Sequence, residues 1–335
     1  MTKCHRRTIF RTVLLFLTVT LAAGLISSSN CANIYLTLNT TKSVYGIGEE
    51  ASIWGNVTFS AGLGGGLIPD ALVAIEVDNP QGIPVILRTK TTGQLPAASN
   101  ITILSLTPSD QSGNPLYTFR RGTLSYFKAS LSNTAASRYV QITLNIFDAR
   151  NVAYESFITF AGLLYNGTTT LIISDPVPQD ISPGNATAYL NVFTALPGVG
   201  GYALCPESSA VFSIIDGSSP PPISEEQPPL GFYNLTFHID NYQTTRMFRP
   251  GNYSVFANCK YQTEVSNATG NFQIVLTGDI NRDGIVDIFD AILLSGSYNA
   301  VLGGPRWNAN ADFNFDGIVD IYDAIILANN FGKKA

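Results

Sequence analysis

A twelve-residue phrase is written twice near the C-terminus. The first copy runs Asp279-Ile280-Asn281-Arg282-Asp283-Gly284-Ile285-Val286-Asp287-Ile288-Phe289-Asp290. The second, 33 residues on, runs Asp312-Phe313-Asn314-Phe315-Asp316-Gly317-Ile318-Val319-Asp320-Ile321-Tyr322-Asp323. Oxygen-bearing side chains fall at positions 1, 3, 5, 9 and 12 of each copy, with glycine at position 6. Calcium is a hard cation that takes about six to eight oxygens, alternate residues of a tight loop aim at one point, and glycine permits the turn between them. The expected ligands are Asp279, Asn281, Asp283, Asp287 and Asp290 in one loop, and Asp312, Asn314, Asp316, Asp320 and Asp323 in the other. Ile285 and Ile318 would add main-chain carbonyls at position 7, and position 9 would act through water. Two calcium ions are expected.

Helical periodicity follows each loop. Ile288, Ala291, Ile292 and Ser295 share one face, as do Ile321, Ala324, Ile325 and Ala328. Upstream of the first loop, Val275-Leu276-Thr277-Gly278 reads as a strand end, not an entering helix. Position 12 is Asp instead of the longer, bidentate Glu of ordinary helix–loop–helix sites. Loop-then-helix, twice, resembles the dockerin domain over residues 277–334. The resemblance implies a calcium-dependent plug and a partner that is cohesin-like or another surface protein. It also places partner recognition at positions 10 and 11, here Ile288, Phe289, Ile321 and Tyr322. These apolar residues either form a docking face or turn inward, with Phe289 and Tyr322 packing on Trp307 so that the domain clips onto its own chain.

Residues 1–32 read as a secretion signal. Lys3, Arg6, Arg7 and Arg11 precede the apolar run Val13–Ile26, which is short for a membrane span. A lipid anchor at Cys31 and an uncleaved anchor are the alternatives. Without this segment the chain holds 15 Lys and Arg against 24 Asp and Glu, a net charge of −9, and eight of those acids belong to the two loops. Nothing basic points to nucleic acid. The expectation is an extracellular, cell-surface protein with no transmembrane helix after cleavage. Two cysteines remain, Cys205 and Cys259. In an exported chain they read as a disulfide, worth about 4 kcal/mol for a loop of this length, with two buried free thiols as the alternative.

The rest is mainly β. A Tyr45-x-x-Gly48-Glu49 turn feeding an alternating strand resembles macroglobulin-like and bacterial Ig-like modules. About four strands are legible by residue 92 and three over 230–276, each too few to close a sandwich of roughly seven. Seven short strands fit within 99–216, which resembles the cell-adhesion-type sandwiches of prokaryotic surface proteins. Strand counting therefore predicts that 33–98 and 230–276 form one Ig-like β-sandwich interrupted by a second at 99–216. A Pro-rich linker follows at 217–229, and a small α-helical calcium domain at 277–335. Asn39, Asn56, Asn100, Asn166, Asn185, Asn234, Asn252 and Asn267 head glycosylation sequons, all outside the calcium region.

No catalytic constellation is legible. Past residue 32 the only histidine is His238, on the polar side of an alternating strand, and there is no nucleophile elbow or phosphate loop. The reading is a non-catalytic surface protein with a calcium-dependent docking domain. The alternative is a carbohydrate-binding accessory subunit of a polysaccharide-degrading complex, with glycans as ligands.

Overall fold

Apolar alternation in the sequence becomes buried rows in the fold. The computed structural model describes residues 33–60, 65–94, 99–215, 229–240 and 247–334. The expected signal segment and nearly all of the Pro-rich linker lie outside the described residues. From Ile34 onward the chain forms one unit.

Six strands come first: β1 (Ile34–Leu36), β2 (Asn39–Thr40), β3 (Val44–Gly46), β4 (Glu50–Phe59), β5 (Leu72–Asp78) and β6 (Pro84–Thr91). Eight follow: β7 (Ile101–Ser109), β8 (Thr118–Arg120), β9 (Leu124–Asn133), β10 (Arg138–Phe147), β11 (Ala153–Leu164), β12 (Gly167–Pro176), β13 (Gly184–Phe193) and β14 (Ser208–Ile215). Then come β15 (Phe232–His238), β16 (Gly251–Tyr261) and β17 (Glu264–Val275), and two helices, α1 (Ile288–Ser297) and α2 (Ile321–Asn330).

The first and last groups of strands share sheets. β15 pairs with β4, from Phe232 opposite Asn56 to His238 opposite Glu50, and β16 pairs with β5, from Ser254 opposite Asp78 to Lys260 opposite Leu72. One sheet runs β1-β4-β15 with β2 also on β4; the other runs β3-β17-β16-β5-β6. The middle strands make sheets of their own, β11-β10-β13-β14-β8 and β12-β9-β7. One sandwich is thus inserted in another.

The rows explain the pairing. Ala51, Ile53 and Val57 of β4 and Tyr233, Leu235 and Phe237 of β15 are all buried, because every second residue of these strands faces the core. Gly55 interrupts the β4 row for a steric reason: a Cβ there would sit 2.0 Å from the Thr37 carbonyl oxygen, which accepts the Tyr233 hydroxyl at 2.7 Å.

β10 departs from its sequence pattern. Val140, Ile142, Leu144 and Ile146 are buried as alternation requires, but Thr143 and Asn145 are buried too. The outer sandwich covers that face. The Leu87 amide donates to Asn145 at 3.1 Å, and the Asn191 amide group donates to the Leu87 carbonyl at 3.0 Å. Ala74, Leu87, Phe193 and Ala203 form a separate apolar cluster in this seam. Beside it, fully buried Arg88 forks onto Glu207 at 2.9 and 2.6 Å, with its guanidinium 3.3 Å from the centre of the Tyr189 ring. His238, read as solvated, lies on a second seam. It pairs with Glu50 at 3.4 Å, and its main-chain amide donates to Asn151 of the inserted sandwich at 3.0 Å.

The expected disulfide is not formed. Cys205 and Cys259 are free, buried thiols. Cys205 precedes β14 of the inserted sandwich, whereas Cys259 lies on β16 of the outer one, between Val73 and Ser266 of the neighbouring strands. Counting cysteines takes no account of this separation. Burial pushes both thiols up to about 12, so neither is a ready thiolate at neutral pH.

Candidate metal centre

Each repeated phrase folds as a closed loop whose carboxylates organise main-chain amides. In the first, Asp279 accepts from the amides of Asp283 at 3.1 Å and Gly284 at 2.8 Å. Asn281 accepts from Asp283 at 2.9 Å, and Asp283 from Ile285 at 2.9 Å. In the second, Asp312 accepts from Gly317 at 3.0 Å, Asn314 from Asp316 at 3.2 Å, and Asp316 from Ile318 at 2.9 Å. The chain turns twice in left-handed backbone, at position 4 (Arg282 and Phe315, φ 61° and 58°) and at position 6 (Gly284 and Gly317, φ 87° and 85°). Glycine takes that conformation without a Cβ penalty.

Positions 9 and 12 have a second job. Asp287 caps α1, accepting from the Phe289 amide at 2.8 Å, while Asp290 reaches back to the Asp287 amide at 2.9 Å. Asp320 and Asp323 repeat this at α2, both at 2.8 Å. The phrase is therefore a capping box as well as a candidate metal loop, with acids where the helix dipole favours them. The D-x-x-D spacing of Asp287 with Asp290, and of Asp320 with Asp323, is the sequence signal for this second role. Asp290 and Asp323 are completely buried, and their other oxygens accept the amides of Ile280 and Phe313 at 2.7 and 2.6 Å.

The two units clasp reciprocally. Val286 exchanges main-chain hydrogen bonds with Gly332 and Lys333, just past α2, and Val319 does so with Asn299 and Ala300, just past α1. The partners on both sides are again 33 residues apart, which gives the pair its pseudo-twofold character. Leu276, Ile280, Val286, Leu294, Ala311, Val319 and Leu327 form the shared core.

The Dockerin type I domain family matches residues 277–332. This end of the chain is a dockerin domain. No curated protein matches the chain. Among solved structures, similarity is found to the Pseudomonas fluorescens alkylpurine DNA glycosylase AlkC bound to DNA containing an abasic site analog (18% identity, 36% of this chain and 31% of that one, TM-score 0.27). It is also found to the C-terminal domain of wzt (10% identity, 36% and 77%, TM-score 0.31). A third is the CARDB domain of a Pyrococcus furiosus protein in complex with di-metal ions (10% identity, 35% and 89%, TM-score 0.24). The chain spans less than a third of the glycosylase. At these scores the likenesses carry no argument about what this chain does.

The apolar faces that periodicity groups on the dockerin's two helices lie largely on the outside. Leu294 and Ser297 on α1 and Leu327 on α2 are buried beside Asp290 and Asp323. Ile288, Ile292 and Ser295 are exposed, as are Ile321, Ile325 and Ala328, and only Ala291 and Ala324 of those faces reach the core. Two fully buried aspartates on the inner stripe displaced the apolar face that periodicity alone would bury. Phe289 and Tyr322 are 60% and 62% exposed and stand apart from the core that Trp307 joins.

Calcium fits the dockerin's donor set. All side-chain donors are hard oxygens, and one oxygen of Asp312, at position 1 of the second loop, is buried with no hydrogen-bond donor. A buried anionic oxygen without a partner is costly, and a cation satisfies it. Burial raises the Asp279 carboxyl, the Gly284 amide offsets part of this, and the neighbouring Asp290 charge raises it further. Among the described residues no three Asp, Glu, His or Cys side chains form a metal cluster by themselves. The loops would also draw on Asn281, Asn314 and the carbonyls of Ile285 and Ile318 to hold an ion. No helix among the described residues is long and apolar enough to cross a membrane.

Proposed function

We propose that this is a secreted, non-catalytic surface protein whose dockerin domain binds two calcium ions and then docks onto a cohesin-like partner. Asp279, Asn281, Asp283, Ile285, Asp287 and Asp290 would hold one ion. Asp312, Asn314, Asp316, Ile318, Asp320 and Asp323 would hold the other. Residues 33–98 with 230–276, 99–216 and 277–335 would act as its three modules. The docking face would be Ile288 and Phe289 on α1 with Ile321 and Tyr322 on α2.

One observation carries the docking reading: four large apolar side chains stand exposed at the matching N-terminal positions of both helices. Apolar burial of such anchors is what drives stable association, and an aromatic at the centre of a contact gives the largest single losses on truncation. Calcium acts upstream of docking. It would fix both loops, and with them the helix starts that present these residues.

The test uses the full chain on a cohesin array, in calcium and in chelator. Phe289→Ala with Tyr322→Ala should weaken capture by about 2 kcal/mol or more while leaving the calcium stoichiometry at two. Capture unchanged by both substitutions, or equal in chelator, would refute the reading.

A further inference from the structure

The junction of the two sandwiches holds a cleft of about 540 Å³ outside the dockerin domain. Arg138, at the start of β10, and Lys260, near the end of β16, reach it from different sandwiches. Both converge on Tyr202. Lys260 donates to the Tyr202 hydroxyl at 3.2 Å, with its ammonium 4.8 Å from the ring centre. Partial burial by itself would raise the Tyr202 phenol, yet the hydrogen bonds and charges of Lys260 and Arg138 outweigh it and hold the phenol below its ordinary value. Neither cation makes an ion pair among the described residues. In so acidic a chain, two exposed cations meeting at one phenol are an arrangement suited to an anion.

The rest of the wall narrows the class of anion. Tyr261 brings a second ring, partly buried, and Gln262 brings an amide on a turn held in left-handed backbone (φ 55°). Asp70 is the one acid in the cleft, and it takes the Tyr261 hydroxyl. Two aromatic faces, an amide and a carboxylate acceptor suit a ring carrying several hydroxyls. The cation pair suits one carboxylate. A chain of carboxylates with no apolar ring would meet Asp70 and leave the aromatic faces unused.

We propose that this cleft binds an acidic oligosaccharide, its uronate carboxylate held by Arg138 and Lys260 and its ring on Tyr202 and Tyr261. The site is independent of the dockerin domain and of calcium docking. Charge-assisted contacts of this kind change affinity by about tenfold or more each.

Calorimetry on the full chain in saturating calcium tests this with three probes: a galacturonate hexamer, the same hexamer methyl-esterified, and a hexaglutamate peptide. The acidic hexamer should bind, the ester and the peptide should bind at least about tenfold more weakly, and salt should weaken the acidic hexamer. Arg138→Gln with Lys260→Gln should lower its affinity at least about tenfold without moving the unfolding midpoint, since both side chains are exposed. Absence of binding, equal binding of the ester, or tighter binding of the peptide would overturn the proposal. So would an unchanged affinity in the double variant.

Discussion

Calcium removal should unfold the dockerin domain and leave the sandwiches standing. Residues 277–335 carry eight aspartates against Arg282, Arg306, Lys333 and Lys334, a net charge of −4 that the two proposed calcium ions would cancel. The core that must hold those charges together is seven residues. At free calcium about a hundredfold above the dissociation constant, each site adds roughly 2.7 kcal/mol, so two add roughly 5 kcal/mol. That is about the entire stability of a small domain. Hydrogen exchange followed in calcium and in chelator reads it directly. Amides of α1 and α2 should lose protection by about four orders of magnitude, while β10 and β13, buried between the sandwiches, keep theirs. The loss should also reach the Ile47 amide, which donates to the Val275 carbonyl at 3.1 Å where the outer sandwich meets the dockerin. Equal protection of α1 and α2 in both conditions would refute the reasoning.

Two further outcomes test the seam between the sandwiches. Arg88→Ala leaves Glu207 without its forked partner and should cost about 3–5 kcal/mol in urea unfolding, most of it regained by Arg88→Met with Glu207→Leu; a loss below about 1 kcal/mol would show that the seam carries little stability. Burial pushes the Glu76 carboxyl up to about 7, the Gly198 amide offsets part of that, and Asp78 adds to it. Since the unfolded value is lower, near 4.5, the folded chain retains this proton longer, so its contribution is complete at the acid end and is lost as pH rises through about 7. Glu76→Gln should flatten the fall in urea midpoint between pH 5 and pH 8, and an identical fall in both chains would count against it.

The dockerin repeat was legible because its pattern is written residue by residue: oxygen side chains at alternate positions and glycine at the turn need no tertiary information. The insertion was legible for a similar reason, since incomplete strand sets at 33–98 and 230–276 have to close somewhere. Other features depend on neighbours distant in sequence. The two- and three-residue strands β2, β3 and β8 carry no readable alternation. Thr143 and Asn145 look like a solvated face until a second sandwich covers them. The inner stripes of α1 and α2 could not be read from periodicity, because Asp290 and Asp323 occupy the core, a position that periodicity assigns to aliphatics. The thiol pairing failed because cysteine counting is blind to which sandwich each residue joins.

The dockerin is joined to the sandwich without a spacer, and this has an energetic consequence. Only Leu276, Thr277 and Gly278 separate the end of β17 from Asp279, the first residue of the first loop. Gly46 on β3 approaches so closely that a Cβ there would lie 2.2 Å from the Thr277 hydroxyl. Ile47, a sandwich residue, packs against both the sandwich core and the dockerin core. Metal binding is linked to formation of the dockerin core, so a residue that completes this core stabilises the metal-bound state even though it touches no ligand. Ile47 is half-buried, and truncation to alanine should cost about 1–2 kcal/mol, less than a fully buried isoleucine would. Linkage converts that into calcium affinity about tenfold weaker in Ile47→Ala, measured by calorimetry on the full chain. Affinity equal to that of the unmodified chain would mean that the sandwich merely adjoins the dockerin, and that a bound partner would not fix the sandwich's orientation.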